Sequence, residues 1–469
     1  MDVQRHLDAT QSPRLWPSLP LELRCVIYEK LKSLVSPSHK HTVADWTRVS
    51  KEWRGIFEPL LWQTLTFRPP VAGFEGFSRF ATSSDYRKAF VKRISLHFVM
   101  DTDKCDRCNR TIAPETILVR SEKQLIVSLE TLVSCLASWT GATATASIEL
   151  EVAISWTGYD GHEQPPRFCC LADRPASFLR FGQVARSEGP NTTVALQAAP
   201  IVGRLSIKGP CPSFLVFDRM TEMTLMLPSL QQVSNEQRFI NAARPAELHY
   251  QSAVNRQMLG LNGIRKVSLW TNPAVDGRNS PDEDTQSSVD KAAVSASFHL
   301  KELAISSASD AESYFSWLNF RMSSASEEDK SFEFKDYRIS SAPEEVSLEY
   351  LVLTHLLGAS LPSVEANQLL IDASLAASMM PHLKMLELWS PGIGPAYFFR
   401  CEIAESQIRV TMGTSWEYDP MEAAQAWEQV AEKKNDCKFE WWMQRIEERS
   451  VYDQGSGCKH LKLGRLLRG

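Results

Sequence analysis

The chain has 469 residues, 43% hydrophobic and 23% charged, with 51 basic against 56 acidic side chains. That is too long for one ordinary core, so two or more modules are expected, and a net charge of -5 gives no basic field for nucleic acid. Ten irregularly spaced cysteines fit reduced thiols rather than a disulfide framework, and the polar start MDVQRHLDATQSPR lacks the apolar core of a signal peptide.

The first predicted helix starts at Leu19-Pro20, where proline's missing N–H costs nothing. Leu19, Leu23, Val26, Ile27 and Leu31 recur at three- and four-residue spacing and form one stripe. Ser36-Pro37-Ser38 breaks the chain. A second helical pattern follows through Trp46, Val49, Trp53, Ile56, Phe57, Leu60 and Leu61, with Lys51, Glu52 and Arg54 outward. Trp62, Leu65 and Phe67 then switch to an extended rhythm. Helices this short bury too little surface to stand alone. Their stripes either pack on the rest of the chain or dock on another protein.

LPLELRCVIYEKL followed by TRVSKEWRGIFEPLLWQTLTF resembles an F-box, whose pattern is Leu-Pro-x-Glu-Leu, an apolar helix, then Val-Ser/Cys-Lys/Arg-x-Trp-Arg and a terminal Leu-Trp. Leu19, Pro20, Glu22, Leu23, Ile27, Leu31, Val49, Ser50, Trp53, Arg54, Leu61 and Trp62 match it. The polar segment between the halves, SPSHKHTVADWT, reads as lacking the family's middle helix with its leucine. The resemblance implies helix-in-groove contact with a Skp-type adaptor, and through it a cullin, carried by Leu19, Pro20, Leu23, Ile27, Leu31, Val49 and Trp53. The plainer reading of Trp53 and Val49 is that they hold the helices together.

Beyond Phe67 short strand-like runs recur: VKRISLHF, SIELEVAIS, VGRLSIKG, MTEMTLML, AELHY, IRKVSLW, LKELAIS, LEYLVLT and LKMLELW. Four have the form apolar-x-x-apolar-x-apolar: Ile264/Val267/Leu269, Leu300/Leu303/Ile305, Leu348/Leu351/Leu353 and Leu383/Leu386/Leu388. That is the strand signature of leucine-rich repeats. Their starts lie 36, 48 and 35 residues apart, against about 20–29 for such repeats, so the repeats are long or interrupted. An open α/β layer fits equally well.

Helices are expected between the strands. Ser121 and Gln124 read as a capping box ahead of Leu125, Leu129, Leu132 and Leu136. SVEANQLLIDASLAASMMP ends at Pro381, and DPMEAAQAWEQVAEKKN has Asp419 as N-cap with Pro420 at the first helical position. Segments 275–291 and 323–331 read as solvated loops, with Ser280 a weakly motivated phosphorylation site. KHLKLGRLLRG at the end reads as a frayed basic tail, with partner binding the minority reading. The region around Met380-Pro381, Leu386 to Trp389, Phe398-Phe399-Arg400 and Trp416 resembles the part that follows the F-box in filamentous-fungal proteins of unassigned function.

Chemistry is sparsely signalled. Cys105 and Cys108 have zinc-knuckle spacing, but further ligands would have to come from His97, His162, Cys169 or Cys170 on other elements, so two reduced thiols in a turn is the favoured reading and no metal or cofactor is expected. No nucleophile elbow, zinc-protease motif or phosphate loop appears. The most apolar run, Leu348 to Pro362, is broken by Glu349 and His355 and is shorter than the ~20 residues of a membrane helix.

The expected architecture is α/β: an F-box over residues 12–67, a divergent leucine-rich-repeat-like domain over 68–435, and a C-terminal helix with basic tail over 436–469. The resemblance implies a non-enzymatic substrate receptor of a Skp-cullin-F-box ubiquitin ligase, cytoplasmic or nuclear, binding an unidentified protein target and neither nucleic acid nor membrane. The alternatives are an F-box scaffold that recruits partners without ubiquitination, and an enzyme with an unfamiliar site in the C-terminal domain.

Overall fold

The structure, a computed structural model, describes residues 16, 19–33, 40–68, 85–100, 103–104, 111–112, 115–139, 147–156, 198–209, 226–237, 252, 254–271, 283–323, 345–355, 362–390, 396–434, 437–446 and 460–467. Three helices open it: α1 (Leu21–Ser33), α2 (Lys40–Val49) and α3 (Lys51–Trp62). There follow β1 (Thr64–Phe67), α4 (Asp85–Lys88), β2 (Arg93–Met100), a ribbon of β3 (Asp103–Lys104) with β4 (Thr111–Ile112), and α5 (Glu115–Ala137). Next come β5 (Ile148–Trp156), β6 (Val202–Lys208), β7 (Gln232–Gln237), a helical turn over 254–259, β8 (Lys266–Thr271) and α6 (Glu283–Ala296). The chain continues through β9 (Glu302–Asp310), α7 (Ala311–Ser323), β10 (Tyr350–Thr354), α8 (Pro362–Ser378) and β11 (Met385–Trp389). It ends with β12 (Tyr397–Ile403), β13 (Gln407–Thr414), α9 (Met421–Lys433), β14 (Lys438–Arg445) and the short α10 (Gly464–Leu467).

Among the described residues, twelve strands form one sheet in chain order, from β1 and β2 through β5 to β14. Neighbours are parallel except at β11–β12 and β12–β13, which are antiparallel. Parallel neighbours need a crossover, and between β9, β10 and β11 it is supplied by α7 and α8. The fold is therefore α/β, and each repeat leans on the next as in a solenoid. Among the described residues, no helix is long and apolar enough to cross a membrane.

Strand periodicity explains the core. On the helix side, Val267, Leu303, Leu351 and Leu386 stand in register, as do Leu269, Ile305, Leu353 and Leu388, and all are buried. These are the residues of the recurring sequence motif, so the repeats align physically although their spacing in the chain differs. The second row passes through Asn235 on β7. Its side-chain amide donates to the buried Asn255 Oδ1 at 3.1 Å, which offsets part of the cost of a polar group at a leucine position.

Several elements differ from expectation. The second helical pattern is two helices, because Ser50 adopts an extended backbone (φ -160°) and its Oγ accepts the Trp53 N–H at 3.2 Å, capping α3. The polar segment between the halves does contain a helix, α2, anchored by buried Val43 and by Trp46. Helix α5 begins at Glu115, so Ser121 and Gln124 lie inside it rather than capping it. Pro420 is the N-cap of α9, and Asp419 helps from one position earlier by accepting the Met421 N–H at 3.1 Å. Residues 283–291, expected as loop, are helical in α6 because Val289 and Ala292 are buried among the core leucines. MTEMTLML ends in helical Met226 and coiled Leu227, and the strand there is the polar-looking β7. AELHY and Ser280 lie outside the described residues. Among the described residues of 436–469, expected as a helix and basic tail, β14 joins the sheet and 460–467 pack on it.

Candidate functional site

Helices α1 to α3 close around their own small core. Tyr28, Val43 and Phe57 are buried, and Trp16, Trp46 and Trp53 pack on them, with ring centroids 5.6 Å apart for Tyr28–Trp53 and 4.9 Å for Trp46–Phe57. The Arg24 guanidinium donates to both Glu52 oxygens at 2.8 and 2.9 Å, tying α1 to α3. Gln63 O accepts the Lys92 and Arg93 N–H groups, each at 2.9 Å, and Glu58 accepts from Arg87 at 3.0 Å. These contacts fasten the helices to the first edge of the sheet.

The aromatic cluster decides which face of α1 turns inward. Arg24, Tyr28 and Leu31, at four- and three-residue spacing, face the cluster. The expected single stripe is therefore split. Leu23 (51% exposed) and Val26 (65%) point to solvent together with Leu21 (59%), while Val49 (61%) projects from the end of α2. Pro20 is exposed, and Leu19 and Ile27 are half-buried. Leu31 and Trp53 pack on the inner cluster. Of the seven residues expected at an adaptor contact, Pro20, Leu23 and Val49 are thus the open ones. Leu21 was missed, because its place one residue after Pro20 falls outside the stripe that the spacing marks out.

The sheet face away from the main helices changes character along its length. One register row runs Thr66, Ser95, Glu151, Ser206, Ser234 and Ser268, then Ala304, Val352, Glu387 and Arg400. Its first half is laced by ion pairs, Arg93–Glu149 at 3.0 Å and Lys208–Glu151 at 3.1 Å. Burial raises the Glu151 carboxyl, but the Ser95 hydroxyl and Lys208 outweigh it and hold the pKa below the ordinary range. In the second half Ala304, Val352, Trp389 and Phe398 form an apolar patch, which Leu461 and Leu463 cover. The expected frayed tail is therefore a packed segment over 460–467.

Asp310, Glu312 and His355 bring their ligand atoms within 4.8 Å of one another. Both Asp310 oxygens are engaged. Oδ1 pairs with His355 Nδ1 at 2.6 Å, and Oδ2 accepts the Glu312 and Ser313 N–H groups at 3.0 and 3.4 Å, capping α7. The group therefore reads as a helix cap with an ion pair. Cys105, Cys108, His162, Cys169 and Cys170 lie outside the described residues. His97 stands 3.0 Å from Ser155 Oγ, and burial, with Arg68 nearby, lowers its pKa. Trp441 is half-buried against the core of the sheet, and Trp442 faces outward on β14.

The arrangement is a repeat-like α/β sheet with a small helical module on its first edge. Residues 258–467, from the helical turn before β8 to the last turn, match a family of unknown function (DUF6546). No curated protein matches the chain.

Proposed function

We propose that the chain is a substrate-recognition subunit of a Skp-cullin-F-box ubiquitin ligase. The observation that carries this reading is that Leu21, Leu23 and Val26 of α1 and Val49 of α2 stay exposed although the three helices close around an aromatic core of their own. Exposed leucines scattered singly need no explanation, whereas Leu23 and Val26, three residues apart, share one face of α1 as a docking surface would. The F-box resemblance supplies the partner, a Skp-type adaptor, bound helix against groove. Relative to the expected contacts, this shifts the weight from Leu31 and Trp53 to Leu21 and Val26.

The sheet presents the target. The chain contributes proximity rather than chemistry, raising the concentration of a bound protein near a ubiquitin-charged enzyme held by the cullin. The setting would be cytoplasm or nucleus. Replacing Leu23 and Val26 with Asp should abolish co-purification with the adaptor while leaving the thermal unfolding of the chain within a few degrees of the native protein, since both side chains are solvent-exposed. Adaptor binding that survives this double substitution would refute the assignment.

A further inference from the structure

We propose that the apolar half of the open sheet face is a peptide-binding site, filled in cis by residues 460–467, and that its partner is a lysine-bearing segment of the form Leu-x-Leu-x-x-Leu. The proposal is independent of adaptor binding and concerns the other end of the molecule.

The face changes from polar to apolar where the segment begins. Ser268 Oγ donates to Leu466 O at one end, and beyond it the row continues as Ala304 and Val352. Leu461 and Leu463 are buried there with Trp389 and Phe398. The segment nonetheless adds no strand to the sheet, whose last member is β14. It lies on a finished surface as a ligand does.

Glu387 marks how that ligand is read. Its side chain is 0% exposed in a row whose neighbour on β10 is Val352. A carboxylate in such a place is costly unless its oxygens are filled. Arg400 Nε donates to Oε1 at 2.7 Å, the Lys462 N–H to Oε1 at 2.9 Å and the Leu463 N–H to Oε2 at 2.8 Å. Two of the three donors are thus main-chain groups of the segment. A further main-chain contact runs from the Arg400 guanidinium to His460 O. Main-chain reading supplies affinity that is independent of sequence, and the buried leucines set register, which is the division of labour in extended-peptide recognition. Glu402, accepting from Lys462 Nζ at 2.5 Å, favours a basic residue between the leucines.

The test keeps the full chain. A protease recognition sequence placed at Gly455-Ser456-Gly457 allows the protein to fold before the segment is cut from it. The probe is a fluorescent synthetic peptide of residues 459–469. After cleavage the labelled peptide should exchange onto the protein saturably. The uncut chain should bind it on the order of 100-fold more weakly, because a tethered segment competes at an effective concentration of ~1 mM. The same peptide with Leu461→Asp and Leu463→Asp should not bind, and Glu387→Gln in the cleaved protein should weaken binding about tenfold. The proposal is overturned if cleavage unfolds the protein, if the cut segment never exchanges, or if the Asp peptide binds equally well. Dimers of the uncut chain that trade the segment between copies would assign the site to a second copy, and would also overturn it.

Discussion

Asp310 serves two neighbours with one carboxyl group, capping α7 and pairing with His355. Burial alone would lower the His355 pKa, but the Asp310 bond and charge outweigh it and the pKa is raised. The folded protein thus favours the charged imidazole. Its stabilising contribution is full below the unfolded value of about 6.5 and is lost as pH rises through the folded value. His355→Gln should therefore lower the melting temperature more at about pH 5.5 than at about pH 8.5. Equal losses at both would show that the pair is neutral. Core packing gives a second expectation: Leu351 is fully buried in the row shared with Leu303 and Leu386, so Leu351→Ala should cost about 2–5 kcal/mol in denaturant unfolding. The leucine was legible from its motif. The His355 pair was not, because 45 residues separate its members and the histidine reads as an interruption of the apolar run from Leu348 to Pro362.

Helix and strand boundaries followed local chemistry more closely than overall hydrophobicity. Ser50 divides two helices that share one apolar pattern, and a pattern of spacing cannot register an N-cap in its middle. Ser50→Ala should cost about 1 kcal/mol in thermal or chemical unfolding, with Ser50→Asp close to the native value. A neutral alanine would mean that α2 and α3 do not depend on this cap. Strand β7 was hidden because only Val233 in QVSNEQ is a strong strand former, and neighbouring strands on both sides impose its geometry. The final segment looked frayed because lysine and arginine alternate with its leucines, and its partner, Glu387, is 76 residues away.

At the scale of the molecule, the α/β class and the repeat motif could be read from the chain, since a strand that buries one face repeats its apolar positions whatever the length of the connection. The extent of the sheet could not. Strands β12 to β14 carry aromatic and charged residues in patterns that read as family markers or as the end of a helix. The helical module shows the same limit from the other side. Periodicity identified its hydrophobic residues, but only the aromatic cluster of Trp16, Tyr28, Trp46, Trp53 and Phe57 determines which of them turn outward. Those outward side chains are the basis for the proposal that the module docks on a Skp-type adaptor.

The most direct measurement is co-expression of the full chain with a Skp-type adaptor, followed by size-exclusion chromatography with mass determination. The account predicts a one-to-one complex for the native chain and free, folded chain for Leu23→Asp with Val26→Asp. Separate elution of the native chain and adaptor would contradict it, leaving the three helices as a cap on the first edge of the sheet.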